Sequence, residues 1–258
     1  HGSELMTAHD DWAEARREIE NSAYWVSPNG RRPRWKKKIY NALLAAFGWG
    51  LRMTGLHGRG CRNALDLQLR RLDIELPRLP ASFDGYRILH VTDSHLDVVP
   101  ALVERARELA AGLEVDLVAF TGDALGDPGA SIGHAADLLA AALTGVSARD
   151  GRFDILGNHD PAAMVGELAR AGFDVLVNRS IEIRRGDDRI CFTGLDDVHS
   201  FYTPQARAAL GDMAGDCAIA LVHSAELADH AATAGYSLYL SGHTHAGQIA
   251  LPGGRPVT

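Results

Sequence analysis

The 258-residue chain is 46% hydrophobic and 23% charged, an ordinary balance for a globular protein that excludes a disordered or fibrous chain. Its net charge of −7 is uneven, because residues 1–80 carry 14 Lys and Arg against 9 Asp and Glu, whereas residues 81–258 carry 12 against 24. The acidic part would repel a polyanion, so nucleic acid is not an expected partner.

Residues 6–64 are expected to form an extension that precedes the main domain. The opening His1-Gly2-Ser3 has the composition of an expression-tag remnant, so residues 1–5 are set aside and Met6 is taken as the natural start. No signal-peptide pattern follows, and three cysteines without a Cys-x-x-Cys pair fit reduced thiols. We therefore expect a cytoplasmic protein.

The extension begins with a predicted helix at residues 11–22, where Trp12, Ala15 and Ile19 recur at spacings of three and four. Its second half joins a basic cluster at residues 31–38 to an uncharged, apolar stretch at residues 39–51. This stretch has 13 residues, whereas a helix needs about 20 to span a bilayer.

Two interpretations of the basic and apolar segment stay open. A helix lying in the headgroup region of an anionic membrane would place its basic residues on lipid phosphates and its apolar residues below them. Alternatively, the apolar side chains pack on the main domain and the basic residues form a solvated face. Gly48, Gly50 and Gly55 are expected to weaken a long helix in either case.

The remainder of the chain has the pattern of an α/β domain. Leu65, Leu67 and Leu69 alternate with polar residues, and Leu72, Ile74 and Leu76 do so in the opposite phase, which predicts a strand with a bulge between the two runs. Strands and helices then alternate: strands at 87–92, 116–121, 153–156, 174–177, 181–185, 190–193, 218–222 and 237–241, and helices at 101–113, 131–143, 162–171 and 205–210. This order predicts sheets covered by helices.

Five polar motifs follow the ends of predicted strands, and each contains residue types that bind metals. They are Asp93-Ser94-His95, Gly122-Asp123, Gly157-Asn158-His159-Asp160, His223 and Gly242-His243-Thr244-His245. Ligands of open α/β sheets bind beyond the carboxyl ends of the strands, so these motifs can converge on one pocket. Any one of them alone is a weak signal. The ordered set is what indicates a metal site.

This set resembles the calcineurin-like metallophosphoesterase superfamily, whose signature elements occur in the same order over residues 93–245. The resemblance covers residues 87–248 and implies a two-sheet αββα sandwich. It is closest to a membrane-associated bacterial branch that includes phosphodiesterases and UDP-diacylglucosamine pyrophosphatase-like hydrolases of lipid A precursors. Ser94 and Ala246 depart from the usual pattern without removing a ligand.

The resemblance also implies roles for individual residues. One metal ion would be bound by Asp93, His95, Asp123 and His245, and a second by Asp123, Asn158, His223 and His243, with Asp123 bridging the two. His159 would act on the phosphate or the leaving oxygen. Imidazole, carboxylate and amide ligands independently suit manganese, iron or zinc better than magnesium or calcium. Two divalent transition-metal ions are therefore expected, with manganese as the first candidate and iron or zinc as alternatives.

Further groups near the motifs have expected supporting roles. Asp160 and Asp97 are candidate acceptors for the second ring nitrogen of a ligand histidine, although Asp97 is rather expected to be a solvated loop carboxylate. His199 could rim the pocket. Only ten residues follow Gln248, so the domain at residues 65–258 is expected to be incomplete at its C-terminal end.

The sequence therefore predicts a dinuclear-metal hydrolase of phosphodiester or pyrophosphate bonds. A lipid-linked substrate at the inner face of the cytoplasmic membrane is the preferred choice. One alternative is a soluble phosphomonoesterase or phosphoprotein phosphatase, which differs in its preference for mono-aryl over bis-aryl phosphates. The other is a non-catalytic membrane-binding scaffold, which would bind no transition metal. The oligomeric state cannot be read from the sequence.

Overall fold

Within residues 2–211, 213 and 217–245, which the computed structural model describes, the chain forms eight α-helices and twelve β-strands. The helices are α1 (Gly2–Asn21), α2 (Trp35–Met53), α3 (Leu56–Ala64), α4 (Ala101–Ala110), α5 (Ile132–Ala142), α6 (Met164–Arg170), α7 (Pro204–Ala209) and α8 (Ala228–Thr233). The strands are β1 (Tyr24–Ser27), β2 (Gly30–Pro33), β3 (Ile88–Val91), β4 (Glu114–Val115), β5 (Leu117–Phe120), β6 (Ser147–Ala148), β7 (Arg152–Asp154), β8 (Asp174–Val175), β9 (Arg179–Arg185), β10 (Asp188–Gly194), β11 (Cys217–Leu221) and β12 (Leu238–Leu240).

Two four-stranded sheets carry the domain. The first has the order β3-β5-β7-β8 with all neighbours parallel, and the second has the order β12-β11-β10-β9 with only the β9–β10 pair antiparallel. Parallel strands are normally buried on both faces. All four residues of β5 and all five of β11 are accordingly buried.

Three apolar layers hold the sheets and helices together. Between the sheets, Leu117 and Phe153 of the first share one core cluster with Phe192 and Ile219 of the second, and the rings of Phe153 and Phe192 meet edge to face. The outer face of the first sheet packs on α5 and α6, and the outer face of the second packs on α7 and α8. This arrangement confirms the predicted αββα sandwich.

The strands and helices that the alternating pattern predicts from residue 87 onward are all present, with ends shifted by a few residues. The strand predicted over residues 65–76 is wrong, because the described residues contain no strand there. Leu69, Leu72 and Ile74 are exposed, and an alternating run forms a strand only where a neighbour accepts its backbone hydrogen bonds. The pattern did not predict the β1–β2 hairpin, α3 or α8.

The first helix packs into the domain. The predicted helix at 11–22 lies within α1, whose Trp12 belongs to the core and donates from Nε1 to Asp196 Oδ2 at 2.7 Å. Arg16 is fully buried, pairs with Asp196 and donates to the backbone carbonyl of Asp160 at 2.6 Å. The division of the chain at residue 64 stays a prediction, but part of the predicted extension supports the core.

The helices α2 and α3 form what we call the helical arm. Contrary to the expected weakening by glycine, α2 runs unbroken through Gly48 and Gly50, and the arm turns only at Gly55, whose φ is +75°. None of the described side chains of the arm joins a core cluster, and Leu43, Trp49 and Met53 are each more than 60% exposed. No helix among the described residues combines the length and apolar content needed to cross a bilayer.

Candidate metal centre and active site

Seven side chains that the sequence assigns to the metal site follow the carboxyl ends of five parallel strands. They are Asp93 and His95 after β3, Asp123 after β5, Asn158 after β7, His223 after β11, and His243 and His245 after β12. The carboxyl ends of β3, β5 and β7 meet at one edge of the first sheet, and those of β11 and β12 meet at one edge of the second. We call these seven residues the metal cage.

One side of the cage joins the Asp-x-His and His-x-His motifs. His245 Nε2 lies 3.3 Å from Asp93 Oδ1, and the rings of His95 and His245 stack with centroids 5.4 Å apart. One donor atom from each of these three residues lies within 4.8 Å of the others. Asp93 Oδ1 is buried without a hydrogen bond, which is the state expected of an oxygen that faces a cation.

The other side of the cage is built around Asn158. Its Oδ1 lies 2.7 Å from His243 Nδ1 and 3.1 Å from His223 Nε2. The rings of the two histidines meet edge to face, with centroids 5.1 Å apart. An amide oxygen and two imidazole nitrogens that converge in this way are a donor set suited to a divalent transition metal.

Asp123 lies between the two sides. Its Oδ2 is 3.3 Å from His223 Nε2 and 3.7 Å from His95 Nε2. Its Oδ1 accepts a hydrogen bond of 2.8 Å from the backbone N–H of His159. One carboxylate oxygen therefore faces a histidine from each side of the cage, which is the position that a bridging ligand requires.

The backbone of the cage is strained. Among the described non-glycine residues, six have a positive φ, and five of them are cage residues: Asp93, His95, Asp123, His243 and His245. Positive φ is uncommon outside glycine, and such strain persists only where the surrounding structure enforces it. Strained residues cluster at functional sites, so the backbone independently indicates that this cluster has a function.

Glycines allow the motif loops to approach each other. A Cβ atom on Gly122 would lie 2.6 Å from the backbone nitrogen of Gly157, and one on Gly157 would collide with Asp123. A Cβ on Gly242 would likewise collide with Thr92 and Asp93. The glycines of the motifs are therefore required by close packing of the loops around the cage.

Backbone carbonyls orient two histidines of the cage. His95 Nδ1 lies 2.9 Å from the carbonyl of Leu125, and His223 Nδ1 lies 2.8 Å from that of Thr121, so in both rings Nε2 is directed at the cage. The expectation that Asp160 accepts from a ligand histidine is wrong.

Asp160 and Asp97 instead hold the loops of the cage. Asp160 is buried and accepts three backbone N–H groups, from Asp123 at 2.7 Å, Gly157 at 2.9 Å and Leu125 at 3.0 Å. Asp97, expected to be merely solvated, accepts the N–H groups of Gly126 at 2.8 Å and of Asp127 at 2.7 Å. Both carboxylates fix backbone that the ligands depend on.

The charges within the cage are strongly coupled. Burial opposes ionisation of Asp123, but its hydrogen bond and ion pair with His223 hold the pKa of the carboxyl below its ordinary value. Burial opposes the charged form of His223 as well, yet Asp123 and the nearby Asp197 raise its pKa to about 10. A divalent cation bound between these groups would satisfy the Asp123 carboxylate in place of a proton on His223.

A pocket of about 620 Å³ opens onto the cage. His159, His243 and His245 line it together with the predicted rim residue His199. His199 Nδ1 lies 2.5 Å from Glu226 Oε1, and its ring centroid lies 4.0 Å from that of His243. Glu226 was not found from the sequence, because an isolated Glu in a polar segment carries no local signal.

Comparisons with known proteins agree with this geometry. The sequence profile of the family described as calcineurin-like phosphoesterase matches residues 86–247, well over half of the chain. The uncharacterized metallophosphoesterase YkuE of Bacillus subtilis is 30% identical over 86% of this chain and 79% of its own length.

Two further relatives cover less. A Danio rerio protein named as a transmembrane protein with metallophosphoesterase domain is 30% identical over 69% of this chain and 45% of its own length. The UDP-2,3-diacylglucosamine pyrophosphatase LpxG of Chlamydia muridarum is 34% identical over 38% of this chain and 30% of its own length. The chain thus spans less than half the length of both. On the family match and the YkuE similarity, the chain belongs to the calcineurin-like phosphoesterase family and is a metal-dependent phosphoesterase.

Proposed function

We propose that the chain hydrolyses a phosphodiester or pyrophosphate bond at a dinuclear metal centre. The observation that supports this best is the convergence of the cage, in which donor atoms from five strand ends approach each other with the backbone under strain. One ion would be bound by Asp93, His95, Asp123 and His245, and the second by Asp123, Asn158, His223 and His243. Manganese is the first candidate, with iron or zinc as alternatives.

When bound, two such ions activate water and stabilise the charge on the phosphoryl oxygens. The chain itself contributes His159, which lines the pocket with its ring centroid 5.0 Å from that of His95. Its Nδ1 lies 3.3 Å from the carbonyl of Gly126, an interaction that orients the ring. We assign to His159 the proton donated to the leaving oxygen, because an imidazole gains and loses protons near neutral pH.

We further propose that the substrate is lipid-linked and that the protein binds the inner face of the cytoplasmic membrane. The helical arm supports this, because it exposes large apolar side chains and no acidic residue occurs from Arg31 to Arg62. An amphipathic helix of this composition suits the headgroup region of an anionic bilayer. The partial similarity to LpxG, a protein named for a lipid substrate, gives additional support.

Metal analysis and hydrolysis assays test the first proposal. We expect the purified protein to retain a transition metal and to hydrolyse bis(4-nitrophenyl) phosphate faster than 4-nitrophenyl phosphate, with stimulation by added manganese. A preference for the mono-aryl ester would favour the phosphomonoesterase alternative. Absence of both bound metal and metal-stimulated turnover would favour the scaffold.

Vesicle sedimentation tests the second proposal. We expect the protein to bind vesicles that contain anionic phospholipid at physiological salt, and L43S/F47S and K37A/K38A each to weaken binding. Vesicles of zwitterionic lipid alone and the R70A/R87A variant, which also removes two positive charges, serve as controls. Equal binding by all variants, or no binding by the parent protein, would rule the membrane proposal out.

A further inference from the structure

The wall of the active-site pocket that faces the metal cage is built by the β1–β2 hairpin and the start of α2. Trp25, Arg31, Arg32, Pro33 and Lys36 line this wall. All five precede residue 86, so they lie outside the part of the chain that matches the family profile. This wall is a feature of the chain's own N-terminal segment, and its chemistry bears on which phosphoesters enter the site.

The hairpin is fixed to the rim of the pocket by backbone hydrogen bonds. The Val26 N–H donates to the Ser200 carbonyl at 2.9 Å, and the Tyr202 N–H donates to the Val26 carbonyl at 2.9 Å. The Arg32 guanidinium donates to the backbone carbonyl of His199. The hairpin thus joins the segment that carries the rim residue His199, and its side chains have a defined position relative to the cage.

The basic residues of the hairpin and of the start of α2 divide into two groups. Arg32 and Arg34 have structural partners, the carbonyls of His199 and Ile19, and Arg34 also lies over the ring of Trp25. Arg31 and Lys36, by contrast, are exposed, and the described residues offer neither of them an acidic partner. Two uncompensated positive charges therefore line the pocket.

The position of Lys36 is unfavourable for the helix that carries it. Lys36 lies in the first turn of α2, which contains no acidic residue and has no side-chain cap. The positive end of the helix dipole disfavours a cation at this position, whereas a bound anion there would be stabilised. Lys36 and the α2 terminus together provide a site for a negative group.

We infer that Arg31 and Lys36 bind a second phosphate of the substrate, an inference that rests on the proposed function. The substrate is then a diphosphate ester rather than an ester with a single phosphorus. The cage would bind the phosphate that is attacked. The pocket, at about 620 Å³, is in the range of sites for drug-sized ligands and exceeds the needs of one phosphate. Arg31 and Lys36 would bind the phosphate of the leaving half.

Calorimetry with two matched ligands tests this inference. The first is the α,β-methylene analogue of adenosine diphosphate, which has two phosphorus atoms and no P–O–P bond. The second is the methylphosphonate monoester of adenosine at the 5′ position, which has one phosphorus. We expect the manganese-loaded protein to bind the first more tightly. In R31A/K36A the Kd of the first should rise roughly 10- to 100-fold, as expected for loss of hydrogen bonds to charged groups, and that of the second much less.

The R70A/R87A variant is the charge-matched control, because Arg70 and Arg87 are exposed and line no part of this pocket. It should retain the preference for the two-phosphorus ligand. Equal affinity of the parent protein for both ligands, or an unchanged preference in R31A/K36A, would overturn the inference. Failure of the proposed function is a separate result, namely the absence of metal-stimulated hydrolysis of bis(4-nitrophenyl) phosphate by the parent protein.

Discussion

The metal cage and the helical arm both carry features that cost stability, but of opposite kinds. The cage has strained backbone and ionisable groups inside the domain, where Asp123 and His223 are buried. The arm has regular helices whose large apolar side chains face outward, as Leu43 and Trp49 do. Dense packing enforces the first arrangement, and only a partner could cover the second. We therefore expect substitutions in the cage region to change activity or folding, and substitutions of the outward-facing apolar side chains of the arm to change neither.

The largest effect is expected from removal of the central carboxylate. Because Asp123 faces histidines from both sides of the cage, D123N should lower metal content and reduce the turnover of bis(4-nitrophenyl) phosphate roughly a thousandfold or more. Elemental analysis after dialysis and initial rates would measure both. The control is D187N, which alters an exposed carboxylate in a turn. A D123N protein that keeps its metal and its rate would contradict the bridging role.

The next effect concerns folding. Arg16 is fully buried and pairs with the buried Asp196, so R16M would leave that carboxylate without its cation. We expect a loss of about 3 to 5 kcal/mol in the free energy of unfolding, the usual cost of breaking a buried ion pair. Urea denaturation would measure it. R17M, an exposed neighbour on the same helix, should change the free energy by less than about 0.5 kcal/mol.

A smaller effect is expected at Asp154, whose ionisation makes the stability of the folded protein depend on pH. Burial, and secondarily the charge of Asp160, raise the pKa of Asp154 well above its ordinary value, and the backbone N–H of Ile155 opposes this shift only weakly. A folded-state pKa above the unfolded value of about 3.9 means that the carboxyl favours folding at low pH and loses this contribution as pH rises through the folded-state pKa.

D154N should remove this loss, so that the variant gains in Tm relative to the parent as pH increases from 5 to 9. Thermal unfolding across that range would show it. The control D84N replaces an exposed carboxyl and should run parallel to the parent. Parallel curves for D154N and the parent would mean that Asp154 is not a destabilising charge in the folded protein.

The smallest effect is expected in the arm. Leu43 and Phe47 are exposed and belong to no core cluster, so L43S/F47S should change the free energy of unfolding by less than about 0.5 kcal/mol while weakening binding to anionic vesicles. Urea denaturation of one preparation would measure the change in stability, and vesicle sedimentation of the same preparation would measure the change in membrane binding. A loss of several kcal/mol would show that these side chains pack on the domain, which is the other interpretation of the sequence.

Whether the sequence predicts an interaction depends on how far apart its partners lie along the chain. The cage residues lie in short motifs at strand ends, where local pattern and resemblance both identify them. Arg16 lies in a predicted helix, but its partner Asp196 is 180 positions away, and nothing local pairs them. The sequence predicts His199 as a rim residue but not its partner Glu226, which is 27 positions away, for the same reason.

The β1–β2 hairpin did have a local signal. Pro28 and Asn29 form the turn between the two strands, and Gly30, the first residue of β2, has a φ of +116°. At residues 65–76 the alternating pattern predicts a strand that the structure does not contain, because no described strand lies alongside this segment. Periodicity reports which face of a segment is apolar, and it does not report whether a neighbouring strand is available.

The contacts of Arg16 have a practical consequence for the design of shorter fragments of the protein. A fragment confined to residues 86–247, the span of the family profile, would lose the guanidinium that neutralises Asp196 and the indole that Asp196 also binds. Such a fragment would retain all seven residues of the cage, but the buried carboxylate of Asp196 would have lost its positively charged partner. The smallest unit that folds is therefore expected to start upstream of Trp12.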